Sequence, residues 1–278
     1  MTKMAPVVSV GEARIPQMGL GTFRLDGEAC SQLVASALGL GYRHVDTAQG
    51  YGNEAAVGDG VANSTVPRDD VFITTKVRPE YMAEGDLQRS VEESLVKLRT
   101  STIDLLLLHW PNPTIPLAET IRALNDVKRR GLVRHIGLSN FTSKLLEQAL
   151  RFSTEPLVTE QLEYHPYLDQ RTMLTLLRAN GLAVTAYCPL ALGRVSTDPT
   201  ILRIAAGHGR TAAQIALRWL VQQPDVIAIP KTSHVNRLKE NLAVFDFALT
   251  ESEIVEIDNL ARPDSRLINE PGWGAEWD

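Results

Sequence analysis

The feature that most constrains this chain is an alternation. Short apolar, β-rich runs are each followed by a stretch with helical spacing, and the pattern repeats across nearly the whole length. Eight runs read as strands: MGLGTF (18–23), YRHVDT (42–47), VFITTK (71–76), IDLLLLHW (103–110), VRHIGLSN (133–140), LVTEQLEYH (157–165), LAVTAYCPL (182–190) and VIAIPK (226–231). Helical stripes lie among them. They are Leu33, Val34, Ala37 and Leu38 before Gly39 and Gly41; Leu87, Val91, Leu95 and Leu98; and Ile121, Leu124 and Val127 before Gly131. Leu145, Leu146, Ala149 and Leu150 form another, as do Met173, Leu174, Leu176 and Leu177 before Gly181. Apolar residues three and four apart share one helix face, and glycine commonly ends a helix. TAAQIALRWLVQQ behind Thr211 and SHVNRLKENL add two helices, and Thr250-Glu-Ser-Glu253 is a capping box opening one more through Leu260.

Strands alternating with helices imply right-handed crossovers and a parallel sheet, and fully apolar strands suit burial on both faces. Eight such units favour a closed (β/α)8 TIM barrel over an open doubly wound sheet. No GxGxxG follows the first strand, which argues against a Rossmann domain. VVSV, GEA and RIP predict a small N-terminal β-hairpin. A barrel of about 250 residues is one domain, so the expectation is a single α/β domain over 1–278 with a hairpin in front and an extra C-terminal helix and tail.

The net charge of −5 argues against nucleic acid or an anionic membrane as the main partner, but leaves room for a local basic patch. Cys30 and Cys188 give neither a disulfide framework nor zinc spacing, and read as buried free thiols in a reducing cytoplasm. MTKMAPVVSV lacks the apolar stretch of a signal peptide and LLLLHWP is too short to span a bilayer, so a cytoplasmic protein is expected.

The active site of such a barrel lies at the C-terminal ends of its strands. Thr22, Asp46, Lys76, His109, Ser139, Asn140, Gln161, Tyr187 and Lys231 stand there. Four ionisable residues at or near these ends, Asp46, Tyr51, Lys76 and His109, can form a proton-donating site for a carbonyl. A free tyrosine has a pKa of about 10, which a nearby cation lowers. Lys76 can be that cation, Asp46 can keep it charged, and Tyr51 becomes a general acid. A neutral His109 can hydrogen-bond the same oxygen. Each residue also has a plainer reading. Asp46 and Lys76 can be a structural ion pair, His109 a satisfied core histidine, Tyr51 a rim aromatic and Tyr187 an ordinary strand aromatic.

GLGTF (19–23), GYRHVDTAQGYGNE (41–54), FITTK (72–76), DLLLLHWP (104–111), GLVRHIGLSNF (131–141), TEQLEYHPY (159–167) and IPKTSHVNRLKEN (229–241) together resemble the aldo-keto reductase superfamily across almost the whole chain. The ending LINEPGWGAEWD and the short connection after Pro111 resemble its bacterial 2,5-diketo-D-gluconate reductase and methylglyoxal reductase branch.

The resemblance implies a monomeric NADPH-dependent reductase of small aldehydes and ketones that needs no metal. Tyr51 would be the proton donor, its pKa lowered by Lys76; Asp46 would hold Lys76, and His109 would orient the carbonyl. Ser139, Asn140 and Gln161 would hold the nicotinamide carboxamide, Tyr187 would stack on its ring, and Thr22 and Leu190 would also face the cofactor. Lys231, Thr232, His234 and Arg237 would surround the 2′-phosphate, with Glu240 and Asn241 near the adenine. Phe23, Arg78, Trp110 and Trp273 would line the substrate pocket, with Trp273 or Trp277 covering the mouth. The chain departs from the family at Arg78, where tryptophan is frequent, and at Gly50, where a bulkier apolar residue is common. Arg78 can bring a cation to the mouth or turn to solvent, and Gly50 can widen the site. Two other classes stay open: a cofactor-binding protein with little turnover, and a barrel lyase using Lys76 as a Schiff base.

Overall fold

In the computed structural model, which describes residues 5–263, 265–270, 272, 273 and 277, the alternation becomes eight parallel strands ringed by helices. A hairpin of β1 (Val7–Val10) and β2 (Ala13–Pro16) comes first. The barrel strands are β3 (Leu20–Gly21), β4 (His44–Asp46), β5 (Phe72–Val77), β6 (Ile103–Leu108), β7 (Val133–Ser139), β8 (Leu157–Glu163), β9 (Ala183–Tyr187) and β10 (Val226–Ala228). Each pairs with the next in chain order. The ring closes between its first and last strands through parallel bridges Met18–Ala228 and Gly21–Lys231, with Gly19 N donating to Ala228 O at 2.9 Å. Glycine is required at this seam, because a Cβ at Gly21 would lie 2.7 Å from the Ile229 carbonyl oxygen.

Helices α1 (Gly27–Gly39), α2 (Glu54–Ala62), α3 (Asp86–Lys97), α4 (Leu117–Arg129), α5 (Ser143–Phe152) and α6 (Arg171–Ala179) each follow a barrel strand. The β9–β10 crossover carries two, α7 (Pro199–His208) and α8 (Ala212–Val221), and α9 (Val235–Leu242) follows β10. The predicted capping box opens α10 (Glu251–Asp258), with Glu253 N donating to Thr250 Oγ1.

Two helices, α2 and α7, are not among the predicted stripes. α2 carries Gly58 and Gly60, which lower helix propensity and interrupt its stripe. Packing explains them. A Cβ at Gly58 would meet Lys97 O at 2.6 Å, and one at Gly60 would meet Ser31 O at 2.6 Å, so α2 lies tight against its neighbours. The strands are also shorter than their apolar runs, most of all β3.

Pleating sorts the side chains. On β6, Leu105 and Leu107 join the hairpin's Val8, Ala13 and Ile15 in a cluster that fills the barrel base, while Leu106 and Leu108 join the larger core under the helices. His109 continues the parity of Leu105 and Leu107, so it emerges inside the mouth.

Candidate active site

Lys76 is the centre of the mouth and is fully buried. A buried ammonium needs acceptors for its hydrogens, and this one has three: Asp46 Oδ1 at 2.6 Å, the Thr47 carbonyl at 2.8 Å and Tyr51 Oη at 3.3 Å. Its position follows from strand parity. Thr74 and Lys76 face inward, Thr74 onto His44, while Thr75 faces outward and donates to Glu54 of α2. Burial works against the Lys76 charge, but Asp46 and Tyr51 outweigh it and hold its pKa above the ordinary lysine value.

Asp46 is held by both sides of the barrel. Gln161, on β8, donates to Oδ2 at 2.8 Å, and Thr22 Oγ1 donates to the Asp46 carbonyl at 3.0 Å. Tyr51 sits on a short 3-10 turn after β4, over residues 49–51, which ends at Gly52 in the left-handed region with φ 72°. Its ring lies 5.6 Å from that of His109, edge-on, and 5.0 Å from that of Phe23. Lys76 pulls the Tyr51 pKa down as expected, but it does not set the net value. Burial raises it above the ordinary value, and Lys76 only opposes that rise. Tyr51 therefore rests as a phenol, and the adjacent cation stabilises the phenolate as it forms. Burial, with Lys76 and Arg78 nearby, pushes His109 down to about 3, so the imidazole is neutral at physiological pH.

Asn140 has left-handed backbone, φ 63°, which turns its amide across the mouth. Its Nδ2 donates to the His109 carbonyl at 2.9 Å and to Ser139 Oγ at 3.0 Å, and its Oδ1 accepts from Tyr187 Oη at 2.6 Å. Ser139, Asn140, Gln161 and Tyr187 are thus gathered on one side of the Asp46–Lys76 pair. Leu190 is half-buried where the chain leaves β9. Beyond it, Ala191, Leu192 and Gly193 all take positive φ.

Lys231, His234 and Arg237 cluster, exposed, around the start of α9. Thr232 Oγ1 accepts from His234 N at 3.0 Å, and the helix has no side-chain N-cap. Glu240 is exposed on the same helix, whereas Asn241 is buried.

Phe23 is half exposed and Trp110 buried. Of the two tail tryptophans, Trp277 meets the edge of Trp110, with centroids 6.1 Å apart; Trp273 lies in a turn on Glu270. Arg78 turns outward to Glu80 at 3.3 Å and toward the Tyr81 ring. A Cβ at Gly50 would lie 3.8 Å from His109 Nδ1, an ordinary contact, so glycine there leaves space beside the histidine rather than answering a backbone demand. Cys30 is buried as expected but Cys188 is only half-buried; both thiols are pushed up to about 11.

Two further residues shape the site without a strand-end signal in the sequence. Thr47 contributes through its backbone carbonyl, which no side-chain pattern announces. Asn53 accepts from Thr47 Oγ1 at 2.7 Å and donates to the Thr22 and Leu25 carbonyls, locking the loops under Tyr51.

A profile of the aldo/keto reductase family matches residues 17–262. The chain belongs to the aldo/keto reductase family. As such it is an oxidoreductase acting on carbonyl groups. It is 41% identical over 267 residues to methylglyoxal reductase DkgB of Escherichia coli O157:H7, spanning 95% of this chain and 99% of that protein. A crystal structure of a protein assigned as a 2,5-diketo-D-gluconic acid reductase B superposes with TM-score 0.97 at 52% identity, covering 99% of this chain and 98% of the other. A mutant of Gox0644 in complex with NADPH superposes at 0.91 and 34% identity, covering 99% of this chain and all (100%) of that one. Within the family fold, the tetrad and the α9 cluster occupy two sectors of one mouth.

Proposed function

We propose that this chain is an NADPH-dependent reductase of small carbonyl compounds, with Tyr51 as proton donor. The observation that carries it is the Asp46–Lys76–Tyr51 chain beside a neutral His109. A phenol held 3.3 Å from a buried ammonium can release its proton to an oxygen gaining negative charge, and the ammonium stabilises what remains. His109, uncharged, hydrogen-bonds the same oxygen and orients the carbonyl carbon. NADPH, when bound, supplies the hydride.

The residues present fit that cofactor. Lys231 and Arg237 flank an uncapped helix start suited to a phosphate, which favours NADPH over NADH. Ser139, Asn140 and Gln161 offer amide and hydroxyl groups for a carboxamide. Tyr187 offers an aromatic face to one side of the ring. The NADPH complex of the 34%-identical Gox0644 mutant supports the same assignment. Lys76 is poorly suited to a Schiff-base lyase, because its ammonium is held charged by Asp46 and has no lone pair to attack with.

Methylglyoxal and related 2-oxoaldehydes are the substrates we favour, on the likeness to methylglyoxal reductase and the apolar walls of Phe23, Trp110 and Trp277. Keto sugar acids such as 2,5-diketo-D-gluconate are the second class, on the likeness to the reductase B structure. The enzyme would act as a single-domain monomer in the cytoplasm, a setting that suits two free cysteines.

The test is NADPH oxidation with each substrate. Tyr51→Phe is expected to lower kcat by roughly 10²–10⁴-fold; comparable turnover would refute the assigned acid. Reduction needs the protonated phenol, so rate is lost as pH rises through the Tyr51 pKa. Because burial lifts that value above its ordinary 10.0, kcat should stay level from neutral pH to about 9 and fall only beyond.

A further inference from the structure

We propose that Glu163 is a positioning residue for the carbonyl substrate, because it fastens the C-terminal segment that lays Trp277 against Trp110 beside His109. This rests on the reductase reading above.

Glu163 ends β8 and is fully buried, at 0% exposure. A carboxylate in that position must be met by donors. Three reach it: His165 Nε2 at 2.8 Å and Leu267 N at 2.7 Å on Oε1, and Ile268 N at 2.8 Å on Oε2. The Tyr167 amide donates to His165 Nδ1 at 3.3 Å, so Nδ1 carries the lone pair and Nε2 the hydrogen given to Glu163. Two of the three donors are consecutive backbone amides of the tail, one to each carboxylate oxygen, a geometry specific to an anion with two acceptor atoms.

The surroundings keep the carboxylate in place. Gln170 Nε2 donates to the Glu163 carbonyl at 2.8 Å, and Arg262 N donates to the Tyr167 carbonyl at 2.9 Å where the tail arrives. Beyond the anchor, the Arg266 guanidinium lies 3.5 Å from the Trp277 ring centroid, and Trp277 Nε1 donates to Asn269 Oδ1 at 3.4 Å. Trp277 then meets Trp110, which adjoins His109. None of these bonds reaches Tyr51, Lys76 or His109; Glu163 also neighbours Tyr187 on β9, and the tail is the route proposed toward substrate.

The experiment compares the full-length enzyme with Glu163→Gln. Glutamine keeps one acceptor oxygen and turns an NH2 group toward a backbone N–H, so one tail amide loses its partner. The expected result is a KM for methylglyoxal raised roughly tenfold, with kcat within about twofold and the NADPH Kd unchanged. Trypsin should cut Arg266–Leu267 faster, because the scissile amide nitrogen is the one Glu163 holds. Trp277→Ala should raise KM similarly, and the double variant should be no worse than either single one, since both act through one path. Glu163→Asp, which keeps the charge, should fall between wild type and glutamine and serves if the glutamine variant is poorly folded. Unchanged KM with unchanged tryptic cleavage, or fully additive KM effects, would overturn the proposal. If the wild type reduces no carbonyl at all, the reductase reading fails, while faster cleavage at Arg266 would still report the anchor.

Discussion

The barrel mouth holds two polar clusters built in opposite ways. Around Lys76 the charges are buried and answered inside the fold: the ammonium has three acceptors, and Asp46 takes bonds from Lys76 on one oxygen and Gln161 on the other. At the start of α9, Lys231 and Arg237 are exposed, neither makes an ion pair among the described residues, and the helix has no side-chain cap. The first cluster is arranged before any ligand arrives, as catalysis by fixed dipoles and charges requires. The second presents charge and open amides outward, as capture of an anion requires. On the proposed function, the same barrel end separates chemistry from cofactor grip, and substitutions in the two places should fail differently.

The largest effect is expected at the centre. Lys76→Met leaves Asp46 buried without its cation, which costs on the order of 3–5 kcal/mol of stability. Denaturant unfolding measures this directly, and kcat should collapse as well. A variant that keeps wild-type stability would show that the pair is not a pre-formed unit and would erase the contrast with α9.

Arg237→Ala tests the other side. It should raise the NADPH Kd by roughly 10- to 100-fold, the weight of a charge-assisted hydrogen bond. The NADH Kd and the unfolding midpoint should stay nearly constant. An equal loss for both cofactors would place Arg237 away from the 2′-phosphate.

The contrast also explains what could be read from the sequence. The barrel strands were legible because burial on both faces demands long apolar runs, as in IDLLLLHW. The tetrad was legible because β-strand ends in a barrel converge. α2 was not, since Gly58 and Gly60 break its stripe for the sake of close helix packing. α7 carried readable signals, with Asp198 capping, Pro199 in its first turn and Ile201, Ile204 and Ala205 buried, but it is a second helix in one crossover where the repeat asks for one. At Tyr51 the lowering pull of a nearby cation is visible in sequence, while the depth of burial that outweighs it is not. Glu163 lay hidden for a different reason: its tail partners are 104 and 105 residues away and are backbone amides.

The smallest effect is expected at Arg78. Its position two residues after Lys76 invites a role in binding a carboxylated substrate. Its guanidinium instead bridges to Glu80, with both side chains nearly half exposed at 44% and 45%. Such surface pairs contribute less than about 1 kcal/mol. Arg78→Ala should therefore change kcat/KM by no more than about twofold, equally for methylglyoxal and for 2,5-diketo-D-gluconate. Arg78 is also the smaller of two cations keeping His109 uncharged, behind Lys76 and behind burial itself, so its removal should leave the imidazole neutral at pH 7. Selective loss of the carboxylated substrate would swing Arg78 toward the pocket and make the mouth a third, substrate-binding cluster built on the open plan of α9.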